Sequence, residues 1–143
     1  MDKKRILFVC VHNSARSQMA EAFLNHIAGD MVTAESAGLD PGRLNPVVVE
    51  VMKEVGIDIS KNRTDSVHDF YKEGKHYDYV ITVCDEASAQ SCPCFPGKAE
   101  RLHWSLPDPS GLTGSHEEIK QGTKDIRDQI RARVEKFVEG LGF

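Results

Sequence analysis

The passage from Lys4 to Ala28 limits the fold more than any other part of the chain. Lys4 to Cys10 reads as a continuous run without the polar alternation of a half-buried strand, which is the pattern of a first strand covered on both faces in a parallel sheet. The run gives way to His12, Asn13 and Ser14. From Arg16 onward the spacing of Met19, Ala20, Ala22, Phe23 and Ile27 predicts a helix to Ala28, with a left-handed cap at Gly29. A buried strand turning straight into an amphipathic helix opens a βα unit, so parallel strands must follow.

The rest of the chain continues that alternation. Met31 to Ala37 predicts a second strand, and Gly38-Leu39-Asp40-Pro41-Gly42 a turn. Asn45 caps a helix with Pro46 at its first position and Val47, Val51 and Val55 on one face, up to Gly56. His68 to Gly74 predicts a short helix and Asp78 to Cys84 a β-branched central strand. Glu100 to Leu106 predicts an edge strand that stops before Pro107-Asp108-Pro109-Ser110-Gly111. Ser115 to Glu118 matches a capping box, and Ile119, Ile126, Ile130, Val134, Phe137, Val138 and Leu141 fall at helical spacing in a long closing helix. The expected fold is α/β, a parallel sheet of about four strands in the order 2-1-3-4 with helices on both faces. With 143 residues and no repeat, linker or low-complexity stretch, residues 1–143 are expected to be one domain.

Charge and cysteine usage narrow the partners. The net charge of −4 comes without a long basic stripe, so no nucleic-acid partner is expected and any anion site must be built locally. The apolar run from Ile6 to Val11 is too short for a signal peptide or a membrane span, so the expectation is a cytoplasmic monomer with no membrane contact. In a reducing cytosol the four cysteines, Cys10, Cys84, Cys92 and Cys94, read as redox or metal chemistry before structural disulfides.

Cys10 to Ser17 occupies the place where folds of this class bind ligands, between the carboxyl end of a strand and the start of a helix. If this loop curls, the backbone N–H groups of Val11, His12, Asn13, Ser14, Ala15, Arg16 and Ser17 point inward, and the Arg16 guanidinium closes the ring. Such a cradle suits a tetrahedral oxyanion, and its field favours a thiolate at Cys10. Ser17 is placed to hydrogen-bond the sulfur, Asn13 to brace the loop, and His12 either to tune the sulfur or to face solvent. The competing reading is structural: a cysteine ending an apolar strand packs as a small hydrophobe, and Arg16 is solvated.

The segment Val9-Cys10-Val11-His12-Asn13-Ser14-Ala15-Arg16-Ser17 resembles the Cys-x5-Arg-Ser loop of the low-molecular-weight tyrosine phosphatases. Its continuation through Gln18-Met19-Ala20-Glu21 looks like the thioredoxin-coupled arsenate reductases built on that fold. The resemblance runs from Ile6 to the closing helix and takes in Glu35-Ser36-Ala37-Gly38, Gly56-Ile57-Asp58-Ile59-Ser60 and Asp108-Pro109. It implies arsenate as substrate, with phosphate or sulfate as competing oxyanions, no bound cofactor, and thioredoxin as external reductant. It also implies a relay in which Cys10 attacks arsenate, Cys84 attacks Cys10, and a third cysteine carries the disulfide outward. Cys92 and Cys94, eight and ten positions after Cys84, stand where the family usually has one cysteine at seven; proximity favours Cys92 and leaves Cys94 open. Cys84, Cys92, Cys94 and His103 compose an alternative zinc site, although the single residue between Cys92 and Cys94 is short for one. Asp108 resembles the general acid of the phosphatases, which keeps phosphoenzyme hydrolysis as the alternative activity. Ser110 stands where a phosphatase often has an aromatic grip, which suits a small inorganic anion. Some reductases of this type hold potassium through residues matching Asn13, Ser36 and Asp65, but Arg63 replaces a small hydroxyl residue there, and a guanidinium disfavours a neighbouring cation.

Overall fold

The computed structural model describes residues 3–83 and 99–141; Cys84, Cys92 and Cys94 lie outside them. A four-stranded parallel sheet has the order β2-β1-β3-β4, built from β1 (Lys4–Cys10), β2 (Val32–Gly38), β3 (Tyr79–Thr82) and β4 (Glu100–His103). The helices are α1 (Arg16–Ala28), α2 (Pro46–Lys53), α3 (Val67–Lys72) and α4 (His116–Gly140), with a short 3₁₀ turn at Pro109–Gly111. The expected α/β class and strand order are both observed.

β1 is central, and Ile6, Leu7, Phe8 and Val9 have no exposed surface. The two-residue period of a strand divides them between two cores. Ile6, Phe8 and Cys10 pack with Met19, Phe23 and Leu24 of α1, Val48 and Met52 of α2, and Ile126, Ile130 and Val134 of α4. Leu7 and Val9 pack on the other face with Val67 of α3, Tyr77 and Val80. Both cores draw on one strand, which is why its sequence reads as unbroken. Each such side chain stabilises the fold by roughly 1.5–3 kcal/mol relative to exposure.

The helix starts obey local chemistry. The Asn45 side chain accepts from the Val47 and Val48 N–H groups, with Pro46 following. Ser115 and Glu118 satisfy each other's backbone in a capping box at α4. Two ends differ from expectation. Gly29 is right-handed at φ −62°, because the chain goes on into a turn closed by Met31 N–H to Ala28 carbonyl (2.9 Å). β4 ends at His103 and not at Leu106: Trp104 enters the core against Phe8 and Phe137, and the Leu106 carbonyl turns to Arg16.

Candidate active site

The loop from Cys10 to Ser17 is held from outside by its carbonyls. Those of Cys10, Val11, His12 and Ser14 accept from the N–H groups of Leu39 (3.0 Å), Asp40 (2.8 Å), Gly42 (2.9 Å) and Asn45 (2.9 Å). The Ala15 carbonyl accepts from Met19 N–H at 3.0 Å as α1 begins. A trans peptide points its N–H opposite to its C=O, so a loop whose carbonyls are tied outward presents its N–H groups to the interior. The turn 38–45 thus forms a collar around the loop, and Gly38, paired with Cys10 in the sheet, lies so near it that an added Cβ would stand 2.8 Å from the Asn13 nitrogen.

Cys10 is buried, and its Sγ meets the Asn13 N–H at 3.1 Å and the Ser17 Oγ at 2.9 Å. Asn13 adopts φ 54°, a left-handed conformation that asparagine tolerates better than most residues. Its side-chain nitrogen lies 2.7 Å from Ser17 Oγ. The start of α1 adds its positive end to the same point. The sulfur thus faces a backbone N–H, a hydroxyl and the start of a helix.

Arg16 is buried, with Nη1 donating to the Leu106 carbonyl at 3.1 Å and Nη2 lying 3.6 Å from Asp108 Oδ2. Its Nε is buried with no hydrogen-bond partner among the described residues. Asp108, half exposed, also caps the 3₁₀ turn through Ser110 N–H (2.9 Å), and Ser110 Oγ accepts from Asn45 Nδ2 (3.1 Å). His12 is exposed, its Nδ1 bonded to the Asp40 carbonyl at 2.8 Å, so of its two expected placements it takes the solvent-facing one. His103 bonds Thr82 Oγ1 through Nδ1 (2.7 Å) at the β3–β4 edge. The structure therefore brings Cys10, Asn13, Arg16, Ser17 and Asp108 to one strand end.

The family model of the low molecular weight phosphotyrosine protein phosphatases matches residues 5–142. The chain belongs to this family. Within it, the chain is 43% identical over 140 residues to an arsenate reductase of Shouchella clausii, covering 97% of this chain and 98% of that protein. It superposes with a TM-score of 0.75 on a thioredoxin-dependent arsenate reductase of Corynebacterium glutamicum, at 30% identity and over 98% of this chain and 62% of the other. It also superposes on a low molecular weight protein tyrosine phosphatase of T. tengcongensis, with a TM-score of 0.76 at 26% identity over 96% and 99% of the two chains. The resemblance read from the loop is borne out at the level of the family.

Beside the loop of this phosphatase-family chain lies a cavity of about 350 Å³, lined by Gln18, Glu21, Ser36, Lys61, Arg63 and Asp65. Burial pushes the Glu21 carboxyl up to about 7; the Ser36 hydroxyl, donating at 3.0 Å, partly opposes this, while the charges of Glu35 and Asp65 add to it. Arg63 Nε sits on Asp65 Oδ1 at 3.1 Å, which sets a cationic group on one of the residues that the resemblance assigns to potassium.

Glu21 carries a pH-dependent stability. Its unfolded value is near 4.5 and its folded value about 7, so between these the folded state keeps a proton that the unfolded state has released. Stability is full below the lower value and falls as pH rises through the upper one, by at most about 3 kcal/mol for this group. Glu21→Gln removes the linkage. Urea unfolding is expected to show the variant gaining on the wild type steadily from pH 5 to pH 8; a gap that does not change with pH would contradict the assignment.

Sequence reasoning overlooked Gly38 as the contact point, the Leu106 carbonyl as the anchor of Arg16, and the buried Glu21 and Gln18. Gln18 carried a usable signal, since a polar residue on the apolar side of a predicted helix needs partners.

Proposed function

We propose that this chain reduces arsenate to arsenite by a three-cysteine relay whose final disulfide is opened by thioredoxin. The observation that carries the reading is the contact of Cys10 Sγ with the Asn13 N–H and the Ser17 hydroxyl inside a loop with its N–H groups turned inward. The unpartnered Arg16 Nε supports it, because a buried unpaired N–H costs about 1–3 kcal/mol and a tetrahedral oxyanion on the loop supplies the missing acceptor. The likeness to named arsenate reductases chooses the anion.

In the proposed sequence the Cys10 thiolate attacks arsenic(V), and one oxygen leaves as water after protonation. The Cys84 thiolate then attacks Cys10 Sγ. The S–As bonding pair stays on arsenic, which departs as arsenite, and a Cys10–Cys84 disulfide remains. A third thiolate, Cys92 or Cys94, attacks Cys84 and frees Cys10, and the two electrons are restored by the thioredoxin dithiol. β3 lies beside β1, with Val83 N–H on the Val9 carbonyl at 2.8 Å, and Cys84 is the next residue in the chain. A reducing, cytoplasmic location and a monomeric state go with this reading.

The test is arsenate turnover with thioredoxin, thioredoxin reductase and NADPH, followed by mapping of the trapped disulfides. Bridges at Cys10–Cys84 and then at Cys84–Cys92 or Cys84–Cys94 are expected; turnover without either would exclude the relay. A second reading, aryl-phosphate hydrolysis through a Cys10 phosphoenzyme, is favoured by Asp108 standing 3.6 Å from Arg16, where a general acid can reach a leaving oxygen.

A further inference from the structure

The carbonyl collar has one gap that main chain does not fill. The turn 38–45 takes the carbonyls of Cys10, Val11, His12 and Ser14, but the Asn13 carbonyl accepts instead from the side chain of Gln18, Nε2 at 3.0 Å. Gln18 is buried on α1, and the same Nε2 donates to the Arg63 carbonyl at 3.0 Å. Two backbone carbonyls can only accept, so the amide orientation of Gln18 is dictated by chemistry. Its Oε1 accordingly accepts from Asn62 Nδ2 at 3.1 Å.

That orientation passes down the loop. Asn13 Oδ1 receives the Asp65 N–H at 3.0 Å and Gln18 Nε2 at 3.3 Å, so the Asn13 amide must turn its nitrogen toward Ser17 Oγ. Ser17 Oγ accepts from Asn13, and once Cys10 Sγ is a thiolate the Ser17 proton is the one that bridges the two. The hydrogen bonds from the Asp65 N–H and Gln18 Nε2 through Asn13 to Ser17 thus run toward the sulfur, and such chains strengthen their members.

We infer that Gln18 is a positioning residue for the Cys10 thiolate, closing the collar at Asn13 and setting the direction of the donor chain that ends on the sulfur. The inference rests on Cys10 being the nucleophile of the proposed reaction. Gln18 carries no charge, so replacing it leaves the charged groups around the loop in place: Arg16 and Asp108 on one side, Glu21, Lys61, Arg63 and Asp65 on the other, and His12 in solvent.

The test is Gln18→Met, which keeps the length of the side chain and removes both donors. The pH profile of Cys10 alkylation by iodoacetamide, read by peptide mass spectrometry, is expected to move up by about one unit. Arsenate kcat is expected to fall on the acid side of that profile and to recover as pH is raised, which general damage to the fold would not produce. An unmoved alkylation profile in folded Gln18→Met protein would overturn the inference. If that variant fails to fold, the wild type decides. The Gln18 side-chain amide signals in a nitrogen-15 spectrum are expected to shift with the same midpoint as Cys10 alkylation, and signals indifferent to that titration would overturn it. Absence of arsenate turnover in the wild type, with the alkylation shift present in Gln18→Met, would sink the functional reading and uphold the inference, because thiolate titration needs no arsenate.

Discussion

Cys10→Ser protein is expected to fold as the wild type does and to lose both arsenate turnover and aryl-phosphate hydrolysis by roughly 10⁴-fold or more. Serine is nearly isosteric, and Ser17 Oγ and the Asn13 N–H remain to satisfy it. A hydroxyl, however, does not ionise near neutral pH, and the described contacts of this position are a backbone N–H and a second hydroxyl, neither of them a base able to remove its proton. Oxyanion binding depends on loop N–H groups and Arg16, and is expected to survive. Cys84→Ser separates the two readings of the site. It is expected to abolish arsenate turnover, because nothing then attacks the Cys10 adduct, while leaving aryl-phosphate hydrolysis within about twofold of wild type, since water resolves a phosphoenzyme. The measurements are thioredoxin-coupled NADPH oxidation and p-nitrophenol release on the same preparations. Equal loss of both activities in Cys84→Ser would remove the relay.

Gly38→Ala is expected to be strongly damaging although it touches no proposed reacting group. An added Cβ would stand 2.8 Å from the Asn13 nitrogen, 2.8 Å from the Val11 oxygen and 2.9 Å from the His12 carbonyl carbon. All three are backbone atoms of the loop. β2 cannot withdraw, because Gly38 is paired with Cys10 in the sheet and its N–H is bound to the Asp65 carbonyl at 2.8 Å. The loop must shift instead, which costs about 1–3 kcal/mol in overpacking and, through misplacement of the N–H groups and the sulfur, about a hundredfold in arsenate kcat/KM. Gly140→Ala, which adds a Cβ to open space near the end of α4, is the control and is expected to lose neither stability nor activity. A Gly38→Ala enzyme with wild-type kcat/KM would show that the close approach of β2 to the loop is dispensable.

Much of the fold was legible because its signals are local. The boundaries of β1 and α1, the Asn45 and Ser115 caps and the apolar face of α4 all follow from interactions within a strand's alternation or a helix turn. The central position of β1 also showed, because a strand feeding two cores has no polar face. The end of β4 and the conformation of the cap after α1 were less legible, since each is settled by what lies across the molecule. Trp104 leaves the sheet to meet Phe8 and Phe137, and the turn after α1 is held partly by Lys3 Nζ on the Gly29 carbonyl at 2.8 Å.

In the site, Cys10, Arg16 and Ser17 could be singled out by residue type and by their place between a strand and a helix. The sequence by itself determined the strand, the loop, the helix and the identities of the groups at their junction, because these depend on residues within a few positions of one another. Only the tertiary structure decided which way the loop faces. Its carbonyls are turned outward by donors about 30 residues away in the chain, its asparagine is oriented by Gln18 and by the Asp65 N–H, 52 positions on, and its arginine is steadied by the Leu106 carbonyl, 90 positions on. Backbone donors and acceptors are the same at every residue, so bonds of this kind leave no mark in a sequence and exist only once the sheet has brought their partners together.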